Sequence, residues 1–239
     1  MRKIAIISDI HGNLQALEAI IKDIKNKNID EVICLGDTIA IGPNPKECLE
    51  LIFEGNIKIV LGNHEEYFIK GAHNFCEVGE GERNHQEWVR SNLNKKIENR
   101  LKELPYKIIE KIEGITFAFT HYARKNEKFI YINEERTVEK LDEMFNDIDA
   151  DVIIYGHEHG LIQKKLMGKS TYICVGSSGC SKDNYTYYTI LNIEDRKYSL
   201  EKVEIKYDRE KFLETFSVMN YPDKDFISRV FFGINNKRS

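Results

Sequence analysis

Short apolar runs punctuate the chain: Ile4–Ile7, Val32–Leu35, Lys58–Leu61, Ile115–Phe119, Val152–Tyr155 and Tyr172–Val175. They are rich in Ile, Val, Phe and Tyr and too short for helices, so they read as strands buried on both faces of a sheet. Between the first of them the period changes. Leu14, Leu17, Ile20, Ile21 and Ile24 recur at helical spacing. Asn44-Pro45-Lys46-Glu47 reads as an N-cap, a proline at the first helical position and a capping-box glutamate, followed by the apolar face Cys48, Leu51 and Ile52. This βαβα order predicts a layered α/β fold with a largely parallel sheet.

Residues 66–104 break the rhythm. Trp88, Val89, Leu93, Ile97, Leu101 and Leu104 are spaced for helix, while Glu77–Glu82 holds two glycines and three glutamates. The stretch predicts a helical insertion with a mobile loop, ending at Pro105. Residues 134–147 predict another amphipathic helix. Tyr185–Ile193 and Ser199–Lys206 alternate like antiparallel strands. Two short helices are expected at about 209–219 and 222–232, the second ended by Gly233. No repeat, low-complexity tract or linker interrupts the chain, so a single domain over 1–239 is the expectation.

Composition adds limits. The 239 residues carry 35 Lys+Arg against 39 Asp+Glu, a net charge of −4, with 41% hydrophobic residues. This is an ordinary globular balance, with length enough to bury roughly 70–75% of the unfolded surface. It provides no global pull toward nucleic acid or anionic membrane. The five cysteines form no C-x-x-C pair, which points to buried or free thiols in a reducing compartment. The first apolar run stops at Ser8 and Asp9, too short for a secretory h-region, and no stretch approaches a membrane span. A cytoplasmic protein is expected.

The candidate chemistry lies where the strands stop. After them come Ser8-Asp9-Ile10-His11-Gly12-Asn13, Gly36-Asp37, Gly62-Asn63-His64-Glu65, His121 and Gly156-His157-Glu158-His159. Five of the seven histidines sit at these ends, and only His73 and His85 lie elsewhere. Ligands of open α/β sheets bind outside the carboxyl ends of strands, so these side chains are expected on one rim. Each block alone has an ordinary reading: Asp9, Asn13 and Asn63 as helix caps, Asp37 as turn chemistry, His121 as a core histidine. Together they form a donor set of imidazole, carboxylate and amide that suits Mn, Fe, Zn, Co or Ni better than Ca or Mg. The seven candidates Asp9, His11, Asp37, Asn63, His121, His157 and His159 are too many for one tetrahedral ion and fit two that share a carboxylate.

In these five blocks, D-x-H, G-D, G-N-H-E, H and G-H-x-H, the chain resembles the calcineurin-like metallophosphoesterases, and most of all their bacterial predicted phosphodiesterases. Gly42-Pro43-Asn44-Pro45, the Trp88 helix running to Leu104-Pro105, Gly176-Ser177-Ser178-Gly179 and Tyr207-Asp208 extend the likeness over essentially the whole chain. The resemblance implies a four-layer αββα sandwich. It implies that Asp9, His11, Asp37 and His159 hold one metal ion, and Asp37, Asn63, His121 and His157 a second. It casts His64 as the general acid beside the leaving oxygen.

There are departures. Lys125 stands where the family has Arg, Tyr122 where Gly is usual, and Glu158 where Thr is common. Tyr122 is expected to narrow access beside the second metal, and Glu158 to support a ligand histidine. Ser181-Lys182-Asp183 replaces Pro-Arg-Asp. Ala40 occupies the place of the aspartate that orients the acid histidine in protein Ser/Thr phosphatases, which argues against that activity. The resemblance implies a metal-dependent phosphodiesterase on a small, nucleotide-like phosphoester, with manganese first among the metals. The alternatives are a symmetrical dinucleoside-polyphosphate hydrolase or phosphomonoesterase on the same site, and a catalytically silent scaffold. Neither membrane nor nucleic acid is an expected partner. Residues 66–104 are the candidate substrate lid.

Overall fold

A computed structural model describes residues 1–130, 137–160 and 164–234. In chain order it contains β1 (Arg2–Ile7), α1 (Leu14–Ile24), β2 (Glu31–Cys34), α2 (Pro45–Glu54), β3 (Lys58–Ile59), α3 (Asn63–Lys70), α4 (Glu80–Asn92) and α5 (Lys95–Lys102). These are followed by β4 (Lys107–Ile112), β5 (Ile115–Thr120), the short strands β6 (Arg124–Lys125) and β7 (Lys128–Phe129), and α6 (Val138–Met144). The chain continues with β8 (Val152–Tyr155), β9 (Lys164–Met167), β10 (Thr171–Cys174), β11 (Tyr185–Glu194), β12 (Lys197–Lys206), α7 (Arg209–Val218) and α8 (Lys224–Phe232). No described helix is long and apolar enough to cross a membrane.

Two five-stranded sheets form, in the orders β12-β11-β1-β2-β3 and β4-β5-β8-β10-β9. The strands expected from the βαβα rhythm pair in parallel: β1–β2–β3 in one sheet and β5–β8–β10 in the other. Antiparallel strands flank them, so each sheet is mixed and not largely parallel. β4 and β9 carry no strand signal that the apolar runs revealed. Lys107, Glu110 and Lys111 in β4 and two lysines in β9 break the apolar pattern at edges that need only partial burial.

Strand alternation builds the layers. Ile4, Ile6, Ile33, Leu35 and Val60 of the first sheet face Phe117, Phe119, Val152, Ile154 and Ile173 of the second. Their neighbours point the other way. Ala5 and Ile7 pack onto Leu17 and Ile20 of α1 and Ile52 of α2. Ala118, Ile153 and Tyr155 pack onto Leu141, Met144 and Phe145 in and after α6. The result is the expected αββα sandwich.

The remaining helices form a cap at one end. Val89 of α4, Ile97 and Leu101 of α5, Phe212 and Phe216 of α7, and Ile227 and Phe232 of α8 share one cluster. Helix α4 begins at Glu80, inside the stretch expected as loop. Asn44 does precede α2, but its side chain caps nothing, so the expected capping box does not form. The Asn44 N–H instead donates to Gly12 O at 3.0 Å, which fastens this residue to the loop after β1. Of the expected 134–147 helix, α6 supplies the part from Val138, and residues 134–136 lie outside the described residues.

Helix α4 is tied to the chain after β2 through His85, whose Nε2 accepts from the Ile41 N–H at 2.8 Å. Burial pushes the His85 imidazole down to about 4. Below about pH 6.5 the unfolded chain binds a proton that the folded chain refuses until about pH 4, so stability is lost as pH falls through that window. From pH 7 to pH 5 the metal-free protein should lose about 2 kcal/mol more than His85→Gln, read by urea unfolding. The same assay should find Ile154→Ala, which empties the contact between the sheets, destabilised by about 2–5 kcal/mol.

Candidate metal centre

The parallel strands of both sheets end on one rim. The Asp9 N–H donates to Gly36 O at 3.0 Å, linking the loops after β1 and β2. The Gly156 N–H donates to His121 O at 2.9 Å, linking those after β5 and β8. The His157 N–H crosses between the sheets to Asp9 Oδ2 at 2.9 Å. All seven expected ligands and His64 therefore meet.

They fall into two groups around Asp37. On one side His11 Nε2 lies 3.0 Å from His159 Nε2, and His159 Nε2 lies 3.1 Å from Asp9 Oδ1. On the other, Asn63 Oδ1 lies 3.0 Å from both His121 Nε2 and His157 Nδ1. Asp37 Oδ2 stands between, 3.2 Å from His121 Nε2 and 3.8 Å from His11 Nε2. The outer nitrogens are committed elsewhere: His11 Nδ1 lies 3.2 Å from Ile39 O and His121 Nδ1 2.9 Å from Leu35 O. Such carbonyls accept a hydrogen bond from Nδ1–H, so in the neutral ring the inner nitrogen carries the lone pair for a metal.

The electrostatics fit a cation. Burial alone would push the Asp9 carboxyl up, but His11 and His159 outweigh it and hold Asp9 well below the usual carboxylate range. Asp37 is likewise held low, against its burial, by His121 and His64. Burial opposes a proton on His121, yet Asp37 keeps it there up to about 9. Protons on His121 and His159 thus help offset two desolvated carboxylates in the metal-free site, and divalent metal binding would displace them. Asp9 Oδ1 is buried without a hydrogen-bond partner, a lone pair facing this centre. Metal-competent clusters include His11, Asp37 and His64, and Asp37, His121 and His157.

The backbone is bent to achieve this. Asp9, His11, Asp37 and His157 have φ of 52°, 48°, 51° and 65°. Left-handed backbone is uncommon outside glycine, and each such residue stores on the order of 1–3 kcal/mol. Glu65 holds the strained loop. Its carboxylate accepts N–H groups from Asp37 at 2.8 Å, Thr38 at 2.7 Å, Ile39 at 3.3 Å and Gly62 at 2.9 Å. Gly62 is required where α3 begins, because a Cβ there would meet Asp37 Oδ1 at 2.1 Å. Asn13 does cap α1, through the Ala16 N–H at 3.1 Å, while Asp9 serves the centre instead. Asn63 is no cap; it is the first residue of α3.

His64 lies close enough to His11 and Asp37 to cluster with them, but it is not one of the seven expected ligands. Its Nδ1 lies 2.6 Å from the Gln86 amide of α4. An amide NH₂ only donates, so the neutral ring carries its proton on Nε2, 3.9 Å from Asp37 Oδ2. Burial pushes His64 down to about 3 despite the pull of Asp37. Gln86 thus orients His64, a task that Ala40 cannot perform. No periodic or motif signal marks Gln86 in the sequence.

The centre floors a cavity of about 410 Å³. Ile41, Tyr67, Val78 and Phe231 form its apolar wall, and Glu77 and Glu82 its acidic one. Among the described residues that line it there is no Lys or Arg. Phe231 comes from α8, with its ring 5.6 Å from that of His159. Tyr122 does not narrow this cavity. It is buried behind His157 with ring centroids 4.5 Å apart, and its hydroxyl donates to Glu158 at 2.8 Å. Glu158 therefore supports His157 through Tyr122. Lys125 is exposed outside the cavity lining, and the neighbouring Arg124 pairs with Glu66 at 3.0 Å.

A curated but uncharacterized protein of Methanocaldococcus jannaschii is 31% identical over 234 residues, 92% of this chain and 94% of its own. A metallophosphoesterase from Sphaerobacter thermophilus superposes with a TM-score of 0.72 at 23% identity, covering 98% of this chain and 99% of that one. A hypothetical protein from Pyrococcus horikoshii OT3 does so with a TM-score of 0.81 at 16% identity, covering 98% and 100%. These two likenesses concern the fold. Residues 2–196 match the model of the calcineurin-like phosphoesterase superfamily domain, and the chain belongs to that superfamily.

Proposed function

We propose that the protein hydrolyses phosphoesters with two divalent ions and acts as a phosphodiesterase on a small ester. The observation that carries this reading is the complete convergent donor set with His64 Nε2 beside it, 3.9 Å from Asp37 Oδ2. Asp9, His11, Asp37 and His159 would hold one ion, and Asp37, Asn63, His121 and His157 the other. The position of Asp37 Oδ2 between the two groups supports its sharing. The donor types suit Mn, Fe, Zn, Ni or Co, with manganese as the working choice. Such a pair supplies an acidified water as nucleophile and compensates charge on the phosphate oxygens.

The chain's own residues do the rest. Asn63 binds through its amide oxygen, which leaves its NH₂ for a substrate oxygen. His64 directs Nε2–H at the leaving oxygen, held in that tautomer by Gln86. An anionic ester beside His64 favours protonation of the ring at Nδ1, where the Gln86 amide would turn to present its buried, unpartnered Oε1 as acceptor, and the imidazolium then delivers the Nε2 proton. The apolar and acidic walls favour an ester with one phosphate and a neutral or weakly charged alcohol. They disfavour a dinucleoside polyphosphate, whose extra phosphates call for basic side chains. The intact donor set and His64 speak against a silent scaffold. None of the five cysteines is paired, which supports a cytoplasmic setting.

Chelator-stripped protein should not cleave a chromogenic phosphodiester, and titration with Mn²⁺ should restore turnover that saturates. If no divalent metal restores cleavage of any phosphoester, the enzyme reading fails. His64→Ala should slow a diester with a poor, alkoxide leaving group by about 10²–10⁴-fold. With nitrophenolate, which needs little proton assistance, the loss should be about tenfold or less. Equal losses on both substrates would remove His64 from the leaving-group side.

A further inference from the structure

The segment after β10 runs back across the loop after β1. The Ser178 N–H donates to Ser8 O at 2.7 Å and the Gly179 N–H to Asp9 O at 3.0 Å. Ser177 Oγ donates to Asp9 O at 2.7 Å, and Asn13 Nδ2 to Gly179 O at 2.7 Å. The backbones touch so closely that a Cβ on Gly179 would meet Ile10 O at 1.8 Å. The next residue is Cys180, whose N–H is fixed by Ser177 Oγ at 2.9 Å. Its thiol is thereby held against the centre. Cys180 Sγ, a His11 ring nitrogen and a His159 ring nitrogen all lie within 4.8 Å of one another.

We propose that Cys180 is an additional ligand of the ion held by Asp9, His11 and His159, and that it biases this half of the centre toward soft divalent metals. The inference rests on the two-metal reading above. A second observation points to the same spot: Asp9 Oδ1 is wholly buried, has no hydrogen-bond partner and faces His159 Nε2 at 3.1 Å. Zinc binds sulfur at about 2.3 Å and imidazole nitrogen at about 2.0–2.1 Å, so donors on one ion lie within roughly 4.4 Å of each other. In a tetrahedral site sulfur and nitrogen donors lie about 3.6 Å apart, so the thiol needs to settle by about 1 Å at most. Binding replaces the S–H bond by a metal–sulfur bond and releases the proton to solvent, as coordinated thiols do. Carboxylate and imidazole alone leave the choice among Mn, Fe, Zn, Co and Ni open, whereas a thiolate strengthens Zn and Co far more than Mn.

Cobalt substitution tests this without measuring turnover. The experiment uses full-length Cys76→Ser protein, which lacks the exposed thiol, and Co²⁺ added to the chelator-stripped form. The expected spectrum combines visible d–d bands with a near-ultraviolet thiolate-to-cobalt band that disappears in Cys180→Ser. In the same variant, Zn²⁺ affinity should fall about tenfold or more, with Mn²⁺ affinity nearly unchanged. Visible bands without the thiolate band would overturn the assignment of Cys180 and leave the metal centre standing. No cobalt spectrum at all would remove the metal reading on which it rests. Since the band is read in protein that keeps Cys180, a misfolded serine variant does not spare the proposal: an absent band defeats it.

Discussion

The carboxylate of Asp37 is the interaction on which the site depends. It is buried where the ends of two sheets meet, and a desolvated charge in such a place costs several kcal/mol unless it is compensated. Compensation comes from every side. The His64 N–H donates to Oδ1 at 2.9 Å, and the imidazoles of His121 and His11 flank Oδ2. These three groups follow three different strands, β3, β5 and β1, and Asp37 itself follows a fourth, β2, so one charge holds together elements far apart in the chain.

Keeping that carboxylate in place requires a backbone that few residues tolerate. The left-handed turns at Asp9, His11, Asp37 and His157 would relax if the surroundings were soft. They are not soft. Glu65 gathers four N–H groups of two loops into one buried carboxylate, and beside Asp37 that burial raises its own proton affinity to about 7. A second carboxylate thus supports the first at an electrostatic cost, offset by its hydrogen bonds to the backbone. Strain, buried charge and aligned imidazoles are properties of a binding site rather than of an efficient core.

The helical cap adds what the sandwich lacks. The sheets supply the metal donors, but the group that orients His64 comes from α4 and part of the cavity wall from α8. Cap and centre share contacts. His85 and Gln86 are consecutive, one bonded to the Ile41 backbone and the other to His64, so packing of the cap and orientation of the ring are set by the same turn of helix.

The sequence by itself determined the strands buried on both faces, the helices between them and the donors at the strand ends. Those features follow from local rules: apolar runs for buried strands, helical spacing for α1, and polar residues where a strand meets the rim. Even the converging set of Asp, Asn and His side chains was legible, because five short blocks each sit immediately after a strand. The edges β4 and β9 were not legible, since an edge strand needs no continuous apolar run. Nor were the roles of Gln86, Phe231 and Cys180. Each lies on an element whose own pattern records only helix or turn, and each gains its meaning from a partner more than twenty residues away. Tertiary structure also reversed the expectation for Tyr122, which reads as an obstacle in the sequence and is a support for His157 in the fold. A sequence pattern encodes which face of an element is buried, but the neighbour that fills that face is decided only when the layers close.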